Sequence, residues 1–157
     1  MLSTVGPEGT DCSPRGDDGP VVRIKDETTL LLPDWRGNNR IDSLQNIVRD
    51  GRVSLMFLIP GVNNVVRVNG TAEIVIASDV LESFEQRGKH PRTVIRVSIG
   101  EMYFQCAKAL MRSKAWTSED ESDGIPTAGA FIKEQLSDFD AKDYDDNYVE
   151  RAQDRMW

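Results

Sequence analysis

TLLLPDWRGNNRIDSLQNIVRDGRVSLMFLIPG, residues 29–61, reads as a strand, a loop, a helix and a second strand in quick succession. Thr28–Leu32 is the return arm of a hairpin whose first arm is the short β-branched run Val21–Lys25, with Asp26 and Glu27 at the turn. The loop PDWRGNNR holds Pro, Gly and two Asn, all turn formers. Residues 39–50 carry Ile41, Leu44, Ile47 and Val48 at helical spacing on one face. Asn38 or Asn39 is suited to cap this helix with its side-chain oxygen, and Gly51 to stop it. Residues 53–59 then form a run short and apolar enough for a buried strand, closed by Pro60-Gly61 and Asn63-Asn64.

Working outward, residues 65–76 alternate. Val66, Val68, Ala72, Ile74 and Ile76 are expected on one face, with Arg67, Asn69, Thr71 and Glu73 on the other. Gly70 in the middle predicts a bulge or bend. Ser78-Asp79 opens a helix of about ten residues with Val80, Leu81 and Phe84 inward, ending near Gly88. A long strand spans 93–106, with Gly100 as a second bending point, and AKALMRSKAW follows as a turn or short helix. At the other end, residues 1–20 read as a strand, a turn and a loop, with Pro7-Glu8-Gly9 a tight connection between strands. The pattern predicts a mainly β fold with short helices, a closed antiparallel barrel, and no alternating βαβα rhythm.

The 157 residues carry a net charge of −7, unevenly spread. Glu119 to the end holds twelve acidic and four basic residues, against fourteen and fifteen before it. Two regions are therefore expected: a near-neutral barrel domain, residues 1–118, and an acidic extension, 119–157, partly helical or disordered. Within the extension a helix is expected at Pro126–Leu136 and fraying from Ser137 onward. The charge balance argues against a general nucleic-acid binder, which needs a basic face. The longest apolar runs, Ser54–Pro60 and Ile74–Ala77, are far short of the roughly 20 residues of a membrane helix. Met1–Thr10 shows no secretory signal. A cytoplasmic protein with reduced Cys12 and Cys106 is the expectation.

Familiar catalytic signatures are missing: no Gly-x-Ser-x-Gly, no phosphate-binding Walker loop, no His-Glu-x-x-His, no Cys-x-x-Cys. His90, the single histidine, builds neither a Ser-His couple nor a His-rich metal site. Any chemistry therefore falls to a cofactor. Three stretches qualify as binding sites. In GNNRIDSLQNI, residues 37–47, a helix amino end points free amides outward, Arg40 adds a forked cation and Ser43 a hydroxyl, a set that suits a phosphate monoester. The ordinary alternative is a capped surface helix with an exposed Arg. In CSPRGD, residues 12–17, Arg15 and the flexible Gly16 suit the carbonyl edge of a planar ring; the alternative is a solvated turn with an Asp salt bridge. In LMRSKAW, residues 110–116, Trp116 with Arg112 and Lys114 nearby suits stacking on an aromatic ligand, or capping of the core or a dimer interface.

Taken in order, SPRGD, TLLLPDWRGNNRIDSLQNI, RVSLMFLIPG, VRVNGTAEI and YFQCAKALMRSKAW resemble the pyridoxamine 5′-phosphate oxidase-related flavin-binding family over roughly residues 3–117, in a branch other than the vitamin-synthesis oxidases. The resemblance extends faintly to PTAGAFIKEQ. It implies an antiparallel, Greek-key-like split β-barrel that forms a homodimer with FMN in each of two clefts between subunits. By motif, Asn39, Arg40 and Ser43 would hold the phosphate, and Leu32, Pro33 and Asp34 would lie along the ribityl chain and ring. Arg15 and Gly16 would approach the ring, while Arg67, Arg112 and Trp116 would come from the second subunit. The implied activity is an FMN-dependent oxidoreductase acting on a small molecule. Rival readings are a flavin, deazaflavin or haem carrier without turnover, and a partner-binding β domain. Val65 stands where the vitamin-synthesis oxidases have Gln, and their terminal Arg-Leu-His stretch has no counterpart, so pyridoxamine phosphate is not the implied substrate. The family also carries a helix before its first strand, which is missing ahead of this one, so a truncated start is expected.

Overall fold

A computed structural model describes residues 1–153 and 155–157. Two compact units emerge, Met1–Trp116 together with Trp157, and Thr117–Met156. The first contains β1 (Leu2–Gly6), β2 (Gly9–Ser13), β3 (Arg23–Asp26), β4 (Thr29–Asp34), α1 (Asp42–Arg49), β5 (Arg52–Phe57), β6 (Val65–Val75), α2 (Ser78–Glu82), β7 (Thr93–Gln105) and α3 (Lys108–Arg112). Its strands make one seven-stranded sheet in the order β2-β1-β5-β6-β7-β4-β3, every pairing antiparallel.

Period-two alternation decides which face each strand buries. Leu30 and Leu32 of β4 enter a core with Leu2, Val53, Leu55, Val68, Ile95 and Val97, closed by Ile47 of α1. Leu31, between them, points to the opposite face and packs with Val94 and Phe84 after α2. Val94, Ile95 and Val97 are wholly buried, which stabilises the fold by about 1.5–3 kcal/mol per side chain. The register of β6 against β7 shifts between Asn69 and Gly70, the predicted bulge. A Cβ on Gly70 would collide with the Ser98 carbonyl oxygen, so glycine is required there.

The closed barrel expected from strand spacing is corrected to a split one. No ladder joins the edge strands β2 and β3. Side chains bridge the gap instead: Arg15, just after β2, donates to Asp34 at the end of β4, and Trp35 Nε1 donates to Asp17 at 2.7 Å.

Three local expectations also change. Neither Asn38 nor Asn39 caps α1; the capping position is Ile41, which supplies no side-chain bond. Asn38 instead folds the loop by accepting from the Arg40 amide at 3.0 Å, and Asn39 takes a left-handed φ of 61°. The inward face of α1 is Ser43, Leu44 and Ile47, while Ile41 and Val48 are exposed. The helix lies close on β1, where Asn46 Nδ2 donates to Thr4 at 3.1 Å. On β6, Val66 keeps the parity of buried Val68 but is exposed near the start of the strand, whereas Val65, on the other face, is buried. Gly51, at φ 82°, stops α1 as expected.

The second unit holds α4 (Ala128–Gln135), α5 (Ala141–Asp146) and α6 (Tyr148–Gln153). Helices therefore occupy much of the stretch expected to fray. Acidic side chains of the extension are used as caps: Asp140 accepts from the Asp143 amide, and Asp145 accepts from the amide of buried Gly129 at 2.9 Å. Phe139 and Tyr144 add a tilted aromatic contact at 5.4 Å.

Candidate functional site

The sequence-predicted residues fall into three groups. The first lies at the split side of the barrel. Strand β4 brings Leu32 and Asp34 to the inner face, and the loop after β2 brings Arg15 to Asp34 in an ion pair whose side chains are about one-fifth exposed. Beside it opens a cleft of about 150 Å³ with Arg15 as its cation and Leu32, Leu55, Met56 and Phe57 among its apolar walls. Arg15 thus makes a salt bridge, with the distant Asp34 and part-buried rather than in a solvated turn. Gly16 is exposed and nothing crowds its α-carbon. Pro33 faces the other way, into a second cleft of about 280 Å³ with Asp17, Trp35 and Phe84. Both volumes fall below the roughly 300–1,000 Å³ usual for ligand pockets.

Two buried polar atoms near Asp34 have no partner among the described residues, Arg15 Nε and Thr93 Oγ1. Thr93 is the cross-strand neighbour of Asp34 in the β4–β7 pairing. Each such atom costs about 1–3 kcal/mol when buried unpaired, so two of them on residues flanking Asp34 call for an explanation.

The second group is the amino end of α1. Asn39 and Arg40 are exposed there, and Arg40 Nε donates to Asp42 at 3.2 Å. With no side-chain cap, this end keeps the first-turn amides free for an anion. Ser43 behaves differently: it is buried and its hydroxyl donates to Asp11 of β2 at 2.7 Å. To meet a phosphate, that hydroxyl has to exchange partners.

The third group lies toward the far end of β6 and β7. Arg67 pairs across the sheet with Met56, a wall of the first cleft, and its guanidinium stands 5.3 Å from the Tyr103 ring centroid. Trp116 Nε1 donates to the Val62 carbonyl at 3.0 Å, and Arg112 is exposed in the last turn of α3. No hydrogen bond links the three groups among the described residues. His90 has Nδ1 2.6 Å from the Phe84 carbonyl oxygen, on the opposite face from the first cleft. Sequence reasoning passed over Asp11, Trp35 and Thr93. Trp35 stood inside a quoted motif, whereas Asp11 and Thr93 acquire meaning only through the register and the fold.

No helix among the described residues is long and apolar enough to cross a membrane. Nothing among curated proteins matches the chain. Solved structures with the same fold include HupZ of Group A Streptococcus (TM-score 0.53, 20% identity, 66% of this chain and 82% of that one). An FMN-binding protein of Syntrophomonas wolfei aligns with TM-score 0.53 and 14% identity over 67% of this chain and 75% of that one. A candidate pyridoxamine 5′-phosphate oxidase of Lactobacillus delbrueckii aligns with TM-score 0.50 and 23% identity over 65% and 80%. Residues 1–106 match the profile of the family described as pyridoxamine 5′-phosphate oxidase. With two-thirds of its length matched and a split antiparallel barrel of that kind, the chain belongs to the pyridoxamine 5′-phosphate oxidase family.

Proposed function

We propose that the protein is an FMN-dependent oxidoreductase of the cytoplasm that works as a homodimer on a small molecule, with one flavin in each of two clefts between the subunits. The observation that carries this reading is the cleft beside Arg15: apolar walls, a cation at one side, and about half the smallest usual volume for a ligand pocket. A site of that kind is completed by a second surface. Phe104 and Met102, on the far half of β7, are 74% and 67% exposed and offer one.

The residues fit the cofactor at both ends. Arg15 keeps a buried Nε–H without an acceptor, which suits a ring carbonyl, and Leu32, Leu55 and Phe57 suit the flat apolar body of the ring. The uncapped amides of α1, with Asn39 and Arg40, suit the phosphate, and Ser43 joins them on release from Asp11. Arg67, Arg112 and Trp116 are assigned to the partner's side of the cleft. When bound, FMN supplies hydride or electron transfer. The chain binds, orients and shields the ring from water.

Titration with FMN and with riboflavin tests the assignment. The protein should bind FMN, and Arg40→Glu should weaken it about 10–100-fold, the weight of one or two charge-assisted hydrogen bonds, while riboflavin, which lacks the phosphate, is unaffected. A folded dimer that takes up no added FMN contradicts the proposal. Turnover by the FMN-loaded protein with a reduced nicotinamide and a panel of acceptors separates an oxidoreductase from a carrier.

A further inference from the structure

We infer that Arg15 and Thr93 together form a two-point notch that recognises the edge of a planar heterocycle on which a ring N–H stands beside a carbonyl. The inference rests on the flavin reading and deepens it by naming the edge that is read and a residue, Thr93, that reads it.

Among the described residues, Arg15 Nε and Thr93 Oγ1 are the two buried side-chain polar atoms without a hydrogen-bond partner. Chance would scatter two such atoms over the molecule. Both instead flank Asp34: Arg15 through its ion pair, Thr93 through the cross-strand register. Directly opposed residues of an antiparallel pair share a face, so Thr93 lies on the inner face with Asp34, in line with the core residues Leu32 and Ile95. Arg15 and Leu32 in turn line the cleft.

The chemistry of the two atoms narrows the ligand. A guanidinium N–H only donates, so its partner is an acceptor. A threonine hydroxyl accepts as well as donates, so it can take a ring N–H. Asp34 is already engaged by Arg15 and keeps the guanidinium turned so that Nη1, not Nε, makes the ion pair. An acceptor beside a donor on one rigid edge is the pattern of a cyclic imide or amide, such as the pyrimidine edge of a flavin. The apolar walls require the body behind that edge to be flat and largely uncharged.

The test compares FMN with its N3-methyl derivative, which keeps the carbonyls and loses the N–H, on wild type, Thr93→Val and Thr93→Ser. Valine has nearly the shape of threonine and suits a strand, so the variant should fold. Because the hydroxyl is unpaired in the free protein, Thr93→Val should leave its Tm unchanged or higher. Expected is a loss of about tenfold in FMN affinity for Thr93→Val, recovery with Thr93→Ser, and no difference between wild type and Thr93→Val toward N3-methyl FMN. The notch is overturned if Thr93→Val binds FMN as wild type does, if it weakens both flavins alike, or if it lowers the free protein's Tm. Wild type that binds neither flavin overturns the flavin assignment itself, and the notch with it.

Discussion

One strand, β7, lives in two environments. Its first half, Thr93–Ser98, is paired with β4 on one edge and β6 on the other, and Val94, Ile95 and Val97 are fully buried. Its second half, Gly100–Gln105, keeps β6 alone and presents Met102 and Phe104 to solvent. Both halves are apolar and β-prone. The difference is the bulge at Asn69/Gly70 and the start of β4 at Thr29, opposite Ser98, beyond which the core of one chain ends with Ile99. Apolar residues that the chain's own core does not reach are the ones our proposal gives to a second copy.

The contrast is broken most severely from the buried side. Ile95→Ala removes side-chain volume at a wholly buried position, and should lower unfolding stability by about 2–5 kcal/mol in urea titration. Phe104→Asp, nine residues on, should leave the stability of the separate chain nearly untouched but weaken self-association by about 2 kcal/mol or more, some 30-fold, in sedimentation velocity. If Phe104→Asp instead unfolds the chain, or Ile95→Ala only separates subunits, the two halves have been assigned the wrong way round. A smaller effect is expected on the split side. Asp34→Asn keeps the shape but removes the charge facing Arg15, and should weaken FMN about tenfold by freeing the guanidinium to turn. The smallest change sharpens the base of the barrel. The Asp50 carboxyl, after α1, is held below its ordinary range chiefly by the hydrogen bond from Arg52. Arg52→Gln should let its pKa rise toward the ordinary value, read by NMR titration, with flavin binding unchanged.

Much of this architecture was legible in the residue pattern because local rules decide it. Leu30-Leu31-Leu32 supplies one side chain to each face in turn, and Gly70 marks a place with no room for a Cβ. What stayed hidden depends on pairing across the fold. Whether the barrel closes is a property of β2 and β3, which never meet in a ladder. The cap of α1 went to Ile41 because Asn38 spends its oxygen on the Arg40 amide. At the site, Arg15, Arg40 and Ser43 were named from their chemistry, and Asn39 from the motif it stands in. Thr93 could not be, since a lone threonine in a strand says nothing until the register sets it opposite Asp34. Asp11 escaped for the same reason, meeting Ser43 across 32 residues of chain.

Central to the account is a flavin held between two copies of the chain. Native mass spectrometry of the protein mixed with FMN measures chain and ligand count together. The account predicts a species of two chains and two FMN, replaced by flavin-free monomer in Phe104→Asp. A monomer that retains FMN, or a wild-type dimer that carries none, would contradict it.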